Sequence, residues 1–195
     1  GKSTKGKMAN EWKVTEYNST ETETDSDGDK TVYTTTMTET SGTNTTATTS
    51  GGTTNTTTST FTVNTNEMTI EKDGTWTSKR DISATNNGVT QKMTMTASGT
   101  WSFVGKTKGD DFKKNERVMF NTLSETTTQS ISGGGISQTS TDTDTYMTGE
   151  SVMIYTVTES KGKELALEAE IGNSSTSGST TSSTSGKTTI KLTEK

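Results

Sequence analysis

Large apolar residues recur at every second position along much of this chain, with threonine, serine or a charged residue between them. Near the start, Trp12 and Val14 alternate with Lys13 and Thr15. A period of two puts one set of side chains on each face of a strand. The same rhythm returns from Val32 to Thr38, around Phe61 and Val63, and through Met68 and Ile70. It continues at Thr75-Trp76, Met93-Thr94-Met95 and Gly99-Thr100-Trp101-Ser102-Phe103, then from Glu116 to Leu123 and from Val152 to Thr158. Each of these segments predicts a half-buried strand.

The interruptions are turn chemistry. Asp25-Ser26-Asp27-Gly28-Asp29 breaks the alternation, a Thr/Asn/Gly tip is centred on Gly51-Gly52, and Gly133-Gly134-Gly135 predicts a bend before a polar strand from Ser140 to Met147. Asp73-Gly74 and Asn87-Gly88 predict tight hairpins, because both pairs tolerate the positive φ of a type I′ turn. Lys163-Glu164-Leu165-Ala166-Leu167-Glu168-Ala169-Glu170 consists of good helix formers. Yet Leu165, Leu167, Ala169 and Ile171 fall at period two with Glu164, Glu168 and Glu170 opposite them. Periodicity therefore predicts a strand with Leu165, Leu167 and Ile171 facing inward, entered through a turn at Lys161-Gly162. A Ser/Thr/Gly loop from Asn173 to Gly186 leads to a last strand, Thr188 to Thr193.

About nine or ten short antiparallel strands in sequence make an all-β meander. Such a meander loses its exposed edges most simply by closing into an up-and-down barrel, with a β-sandwich as the alternative. The length of 195 residues fits one domain, 10–195, preceded by a Gly/Lys/Ser-rich tether at residues 1–9.

Composition sharpens this picture. Threonine supplies roughly a quarter of the residues, several-fold above ordinary usage, and its stiff β-branched side chain suits a pleated surface. Apolar residues are only 23%, so the core must be small for the length. Low hydrophobicity with abundant Thr, Ser and Gly also marks disordered tracts, but those lack periodic alternation and are usually rich in proline, which this chain lacks. The net charge of −5 argues against nucleic acid and against anionic membranes as partners. The longest apolar run, Val152-Met153-Ile154-Tyr155, is far too short for a membrane-spanning helix.

Several segments together resemble the lipocalin-like domain of small cell-envelope lipoproteins of Gram-negative bacteria. They are Asn10-Glu11-Trp12-Lys13-Val14-Thr15-Glu16-Tyr17, Ile70-Glu71-Lys72-Asp73-Gly74-Thr75-Trp76, Ser98-Gly99-Thr100-Trp101-Ser102-Phe103 and Lys161-Gly162-Lys163-Glu164-Leu165. The resemblance implies a lipocalin-like barrel that holds a small, partly apolar ligand. It also implies export, and anchoring by lipid through a cysteine that this sequence does not contain. The expected location is thus the cell envelope or the extracellular space.

The chemistry available is narrow. With no histidine and no cysteine, Ser-His-Asp and Cys-His catalysis and Cys/His zinc sites are excluded. Carboxylate pairs remain for glycoside hydrolysis. Asp110-Asp111 beside Gly109 reads as a solvated turn, and Asp142 and Asp144 alternate with threonines on what should be an outer face. Asp25, Asp27 and Asp29 resemble the first half of a calcium loop. Lys30 and Thr36 stand where such a loop needs Gly and a bidentate Glu, so no metal and no cofactor are expected. Trp12, Trp76, Trp101, Phe103, Phe120 and Tyr155 hold much of the aromatic surface. Most should be core, and the same rings are the candidates for lining a ligand pocket at a barrel mouth. Arg80 and Arg117, the only arginines, are expected in surface ion pairs, with stacking on an aromatic ring as the alternative. The expected function is a non-enzymatic binding module for a small apolar ligand. The alternative is a structural or adhesive surface protein that meets a glycan or another protein without an internal ligand.

Overall fold

The computed structural model describes residues 4–104 and 115–195. After a short helix α1 (Thr4–Met8), eleven strands follow among the described residues: β1 (Asn10–Thr24), β2 (Lys30–Thr38), β3 (Ser41–Ser50), β4 (Thr53–Ile70), β5 (Thr75–Asn86), β6 (Val89–Phe103), β7 (Arg117–Gly133), β8 (Ile136–Thr145), β9 (Val152–Lys161), β10 (Glu164–Ser177) and β11 (Thr180–Glu194). Neighbours in sequence pair antiparallel, except β8 and β9. The ring closes by β1 on β11 and by β9 on β7, so ten strands form the barrel and β8 is an extra strand paired only to β7. The expected meander and its closure are what the chain forms.

The wall differs from base to top. At the base Asn10–Lys13 of β1 pairs directly with Glu67–Ile70 of β4, so the β2–β3 hairpin enters the ring only above that level. The base ring accordingly has eight strands. On the other side β7 pairs with β9 through Arg117–Asn121 and with β8 from Ser124 upward. Higher up, β8 and the end of β10 are therefore edges with one partner each among the described residues.

Burial follows the same division. Met8, Trp12, Val14, Ile70, Trp76, Trp101, Val118, Phe120, Val157, Leu165, Leu167 and Leu192 form the core, and all of them belong to the lower half. The upper strands are solvated on both faces. Their directly opposed threonines instead hydrogen-bond across the ladder, as in Thr49 with Thr54 at 2.7 Å, Thr85 with Thr90 at 2.9 Å and Thr126 with Thr143 at 3.0 Å. Cross-strand hydroxyl pairs of this kind add a few tenths of a kcal/mol up to ~1 kcal/mol each. Ion pairs such as Lys187–Glu168 at 3.0 Å are largely exposed and add little.

Several boundaries differ from the expectations, each for a visible reason. Within residues 1–9 the chain forms helix α1, and Met8 is fully buried while its carbonyl accepts the Trp12 indole N–H at 2.8 Å. The Thr-rich tip before Gly51 contains strand β3, and the Asn173–Gly186 loop is ladder on both sides of Gly178-Ser179. The strands at Phe61 and Met68 are one strand, β4, with a bulge between Val63 and Thr65. Asn87 (φ 50°) and Gly88 (φ 74°) both lie in the left-handed region, as a type I′ turn requires. At Asp73-Gly74 only the glycine does, and the turn is wider, closed by Gly74 N–H on Glu71 O and by Asp73 Oδ1 accepting the Thr75 amide.

Residues 164–171 are strand, as the periodicity predicts. Leu165 and Leu167 are buried, but Ile171 is 39% exposed on the same side. At that height β10 borders only β11, and the interior beside it is solvated.

Gly99 marks a close approach. It lies at a register shift between β6 and β7, and a Cβ there would overlap the carbonyl oxygen of Asn121, which accepts the Trp76 indole N–H at 3.3 Å. Gly99→Ala should therefore destabilise the barrel by ~2 to 4 kcal/mol through backbone displacement, the cost class of overpacking with a lost hydrogen bond. Urea melts of the variant against wild type check this, and an unchanged midpoint would show that β7 yields freely.

Candidate functional site

Above the aromatic base the barrel encloses a cavity of about 290 Å³. Strand alternation builds it. On β5 the residues Trp76, Ser78 and Arg80 rise along the inner face, and on β4 the residues Ile70, Met68 and Asn66 do the same. Val14, Trp76, Phe120, Leu167 and Leu192 form an apolar floor continuous with the core, and Met95, Met153 and Ile190 extend it up the walls. A second, more open hollow of about 420 Å³ lies higher on the concave face, lined by Phe61, Ile82, Met93 and Ile131 among polar residues.

The polar groups cluster at one level. Arg80 and Asn66 are direct partners across the β4–β5 ladder, so their side chains leave the wall together. The Arg80 guanidinium lies over the Tyr17 ring, 4.9 Å from its centroid. Tyr155 stands in the same lining, and its hydroxyl is pushed up to about 12 by burial, with nearby Tyr17 adding to the shift and Arg80 opposing it. Arg80 Nε and Asn66 Nδ2 are buried with no hydrogen-bond partner. Asn66 was not singled out from the sequence, and Arg80 was expected in a surface ion pair with stacking on an aromatic ring as the alternative, which is the arrangement it adopts over Tyr17. Their signal was parity, because position 80 is in phase with Trp76, and position 66 is in phase with Ile70. The expectation of a surface ion pair for Arg80 is corrected accordingly, since its side chain lines the interior.

The aromatic candidates divide. Trp76, Phe120 and Tyr155 line the cavity and stack in series, Trp76 on Phe120 at 5.8 Å and Phe120 on Tyr155 at 5.9 Å, both edge to face. Trp12, Trp101 and Phe103 are packed below it and do not line it. All three indoles donate to backbone carbonyls: Trp12 to Met8, Trp76 to Thr100 and Asn121, Trp101 to Glu71. Buried indole N–H groups satisfied in this way fix the rings as structural pins.

The acidic candidates do not converge. Asp25 Oδ1 accepts the amides of Asp27 at 2.9 Å and Asp29 at 3.0 Å, while Asp29 Oδ2 accepts the Ser50 hydroxyl at 2.6 Å. The loop is an Asx turn tied to the next hairpin. Among the described residues no group of three acidic side chains is gathered as a metal ion would need. Asp144 lies opposite Glu125, which lines the cavity, so Asp142 and Asp144 face the concave side rather than the outer one. Asp110 and Asp111 lie outside the described residues.

No protein-family model, no curated protein and no solved structure matches this chain, and what it shares with the lipocalin-like resemblance is the antiparallel barrel itself.

Proposed function

We propose that this protein is a non-enzymatic, extracytoplasmic binding module that takes a small, largely apolar ligand inside its barrel. The observation that carries the reading is the cavity of about 290 Å³ with an apolar floor and a few convergent polar groups. Ligand sites have this make-up. The lack of histidine and cysteine in the sequence supports the non-enzymatic part. The adhesive alternative draws on the exposed threonine pairs of the upper hairpins and has no use for a cavity.

Trp76 is the one tryptophan that lines the cavity, so it should report occupancy. Titration with short fatty acids, alcohols and other hydrophobic metabolites is expected to shift or quench its fluorescence saturably, with Kd in the micromolar range. Trp76→Phe should remove the signal while Trp12 and Trp101 still emit. Screens against esters, glycosides and phosphates should be blank. A dozen chemically diverse ligands without a saturable signal would overturn the reading and favour the adhesive one.

A further inference from the structure

Arg80 and Asn66 are unusual for what they lack. Two N–H donors, Arg80 Nε and Asn66 Nδ2, are buried side by side on the inner wall with no acceptor. A buried donor left unpaired costs on the order of 1 to 3 kcal/mol, more when it carries charge. Among the described residues no carboxylate comes within ion-pair distance of Arg80. Of the carboxylates that line the cavity, Glu67 is engaged with Lys195, and Glu125 stands on β7 opposite Ala97, two strands away from Arg80. The neighbours of the guanidinium are instead the Tyr17 ring face and, in the same lining, the Tyr155 hydroxyl. A cation held over an aromatic ring in an apolar cavity, beside a second free donor, is a place for an acceptor that comes from outside the chain.

We infer that the cavity selects an amphiphile with a single carboxylate head, seated on Arg80 and Asn66, with its tail on the floor formed by Trp76, Phe120 and Leu192. The inference rests on the binding reading above and adds the ligand class to it. A planar carboxylate has two oxygens, enough to accept from both donors at once, and hydrogen bonds to charged groups are the strong ones. Geometry agrees with this orientation. Going up β5, Trp76 lies at the floor and Arg80 four residues higher, about 13 Å along the strand. At ~30 Å³ per non-hydrogen atom, the share a water takes in the liquid, about 290 Å³ holds roughly ten such atoms. That is the size of an eight-carbon fatty acid.

The test is calorimetric titration of octanoate, octan-1-ol and octylammonium into wild type, Arg80→Met and Asn66→Leu at neutral pH. Wild type should bind octanoate on the order of ten- to a hundredfold tighter than octanol, the range one or two charge-assisted hydrogen bonds span. Arg80→Met should erase that preference, bringing octanoate to within about threefold of octanol, and its thermal melt shows whether the variant is folded. Asn66→Leu should lose a smaller part of it. Should Arg80→Met fail to fold by its thermal melt, the wild-type head-group series and Asn66→Leu decide the matter. Octanol binding as tightly as octanoate, tighter binding of octylammonium, or full octanoate affinity in Arg80→Met would each overturn the carboxylate assignment and leave the binding reading standing. If neither octanoate nor octanol binds wild type, both fall.

Discussion

Replacing Leu167 with aspartate is expected to cost about 5 kcal/mol or more and to leave little folded protein at neutral pH. Leu167 is 2% exposed and packs between Val157 on β9 and Ile190 on β11. Truncating a buried leucine costs ~2 to 5 kcal/mol from lost burial and the cavity left behind. An aspartate there adds the desolvation of a carboxylate without a partner, several kcal/mol more. Small domains are stable by only ~5 to 15 kcal/mol, so the sum is of the order of the whole. The pH dependence separates the two contributions. Burial would raise the folded-state pKa of the new carboxyl above its unfolded value of about 3.9, so the electrostatic penalty is absent below that pH and grows as pH rises through it. The variant should therefore recover part of its stability near pH 3, measured relative to Leu167→Ala in urea melts followed by circular dichroism. A loss below ~1 kcal/mol at pH 7 would mean that this side of β10 does not face the core.

The same residue shows why the sequence was readable where it was. Leu165, Leu167 and Ala169 are buried at period two in a segment whose helix propensity is high. Burial against a sheet outweighs a propensity difference of a few tenths of a kcal/mol per residue. The alternation is legible wherever one face is dry and the other wet, which holds for the lower half of the barrel. It fails where both faces are wet. Strand β3 reads Ser-Gly-Thr-Asn-Thr-Thr-Ala-Thr-Thr-Ser, with no large apolar residue to mark a side, and from Ser174 to Gly186 the chain is Ser/Thr/Gly throughout. There the ladder is held by backbone pairing and threonine hydroxyls, neither of which leaves a hydrophobic pattern. The solvated upper interior also explains why Ile171 keeps its side but is not buried.

The candidate site was legible in part for the same reason. Trp76, Phe120 and Tyr155 were singled out as large rings, and they line the cavity. Asn66 was not, and Arg80 was named for an ion pair or a ring stack but not as a cavity donor, because a polar residue on an inward phase looks like an ordinary break in the alternation. Whether a ring is pin or lining depends on height within the barrel. Trp76 and Trp101 both sit on inner phases of β5 and β6, yet only Trp76 reaches the cavity.

That difference sets the expectation for Trp101→Ala, a loss of ~3 to 5 kcal/mol in stability with ligand affinity unaltered. Trp101 is 5% exposed and meets Phe103 edge to face at 5.6 Å. Its indole donates to Glu71 O at 2.8 Å, and its amide donates to Gly74 O at 2.8 Å, so the ring anchors the β4–β5 turn to β6. Truncation removes the burial of a large aromatic, leaves a void at the base and takes from the Glu71 carbonyl the shorter of its two hydrogen bonds, the Gly74 amide remaining, effects that together fall in the range measured for large aromatic deletions. The amide contact survives, so the turn should loosen rather than detach. A ligand in the proposed cavity would meet none of these atoms, because Trp101 and Glu71 do not line it. Thermal melts of wild type and W101A, run beside fluorescence titrations with octanoate, read the two quantities separately. A melting temperature lower by roughly 6 to 20 °C with the same Kd is the expected pair, since 1 kcal/mol shifts a domain of this size by ~2 to 4 °C. A Kd weakened tenfold at temperatures where the variant is fully folded would place the ligand lower in the barrel than the cavity above Trp76, against the rings that here serve as pins.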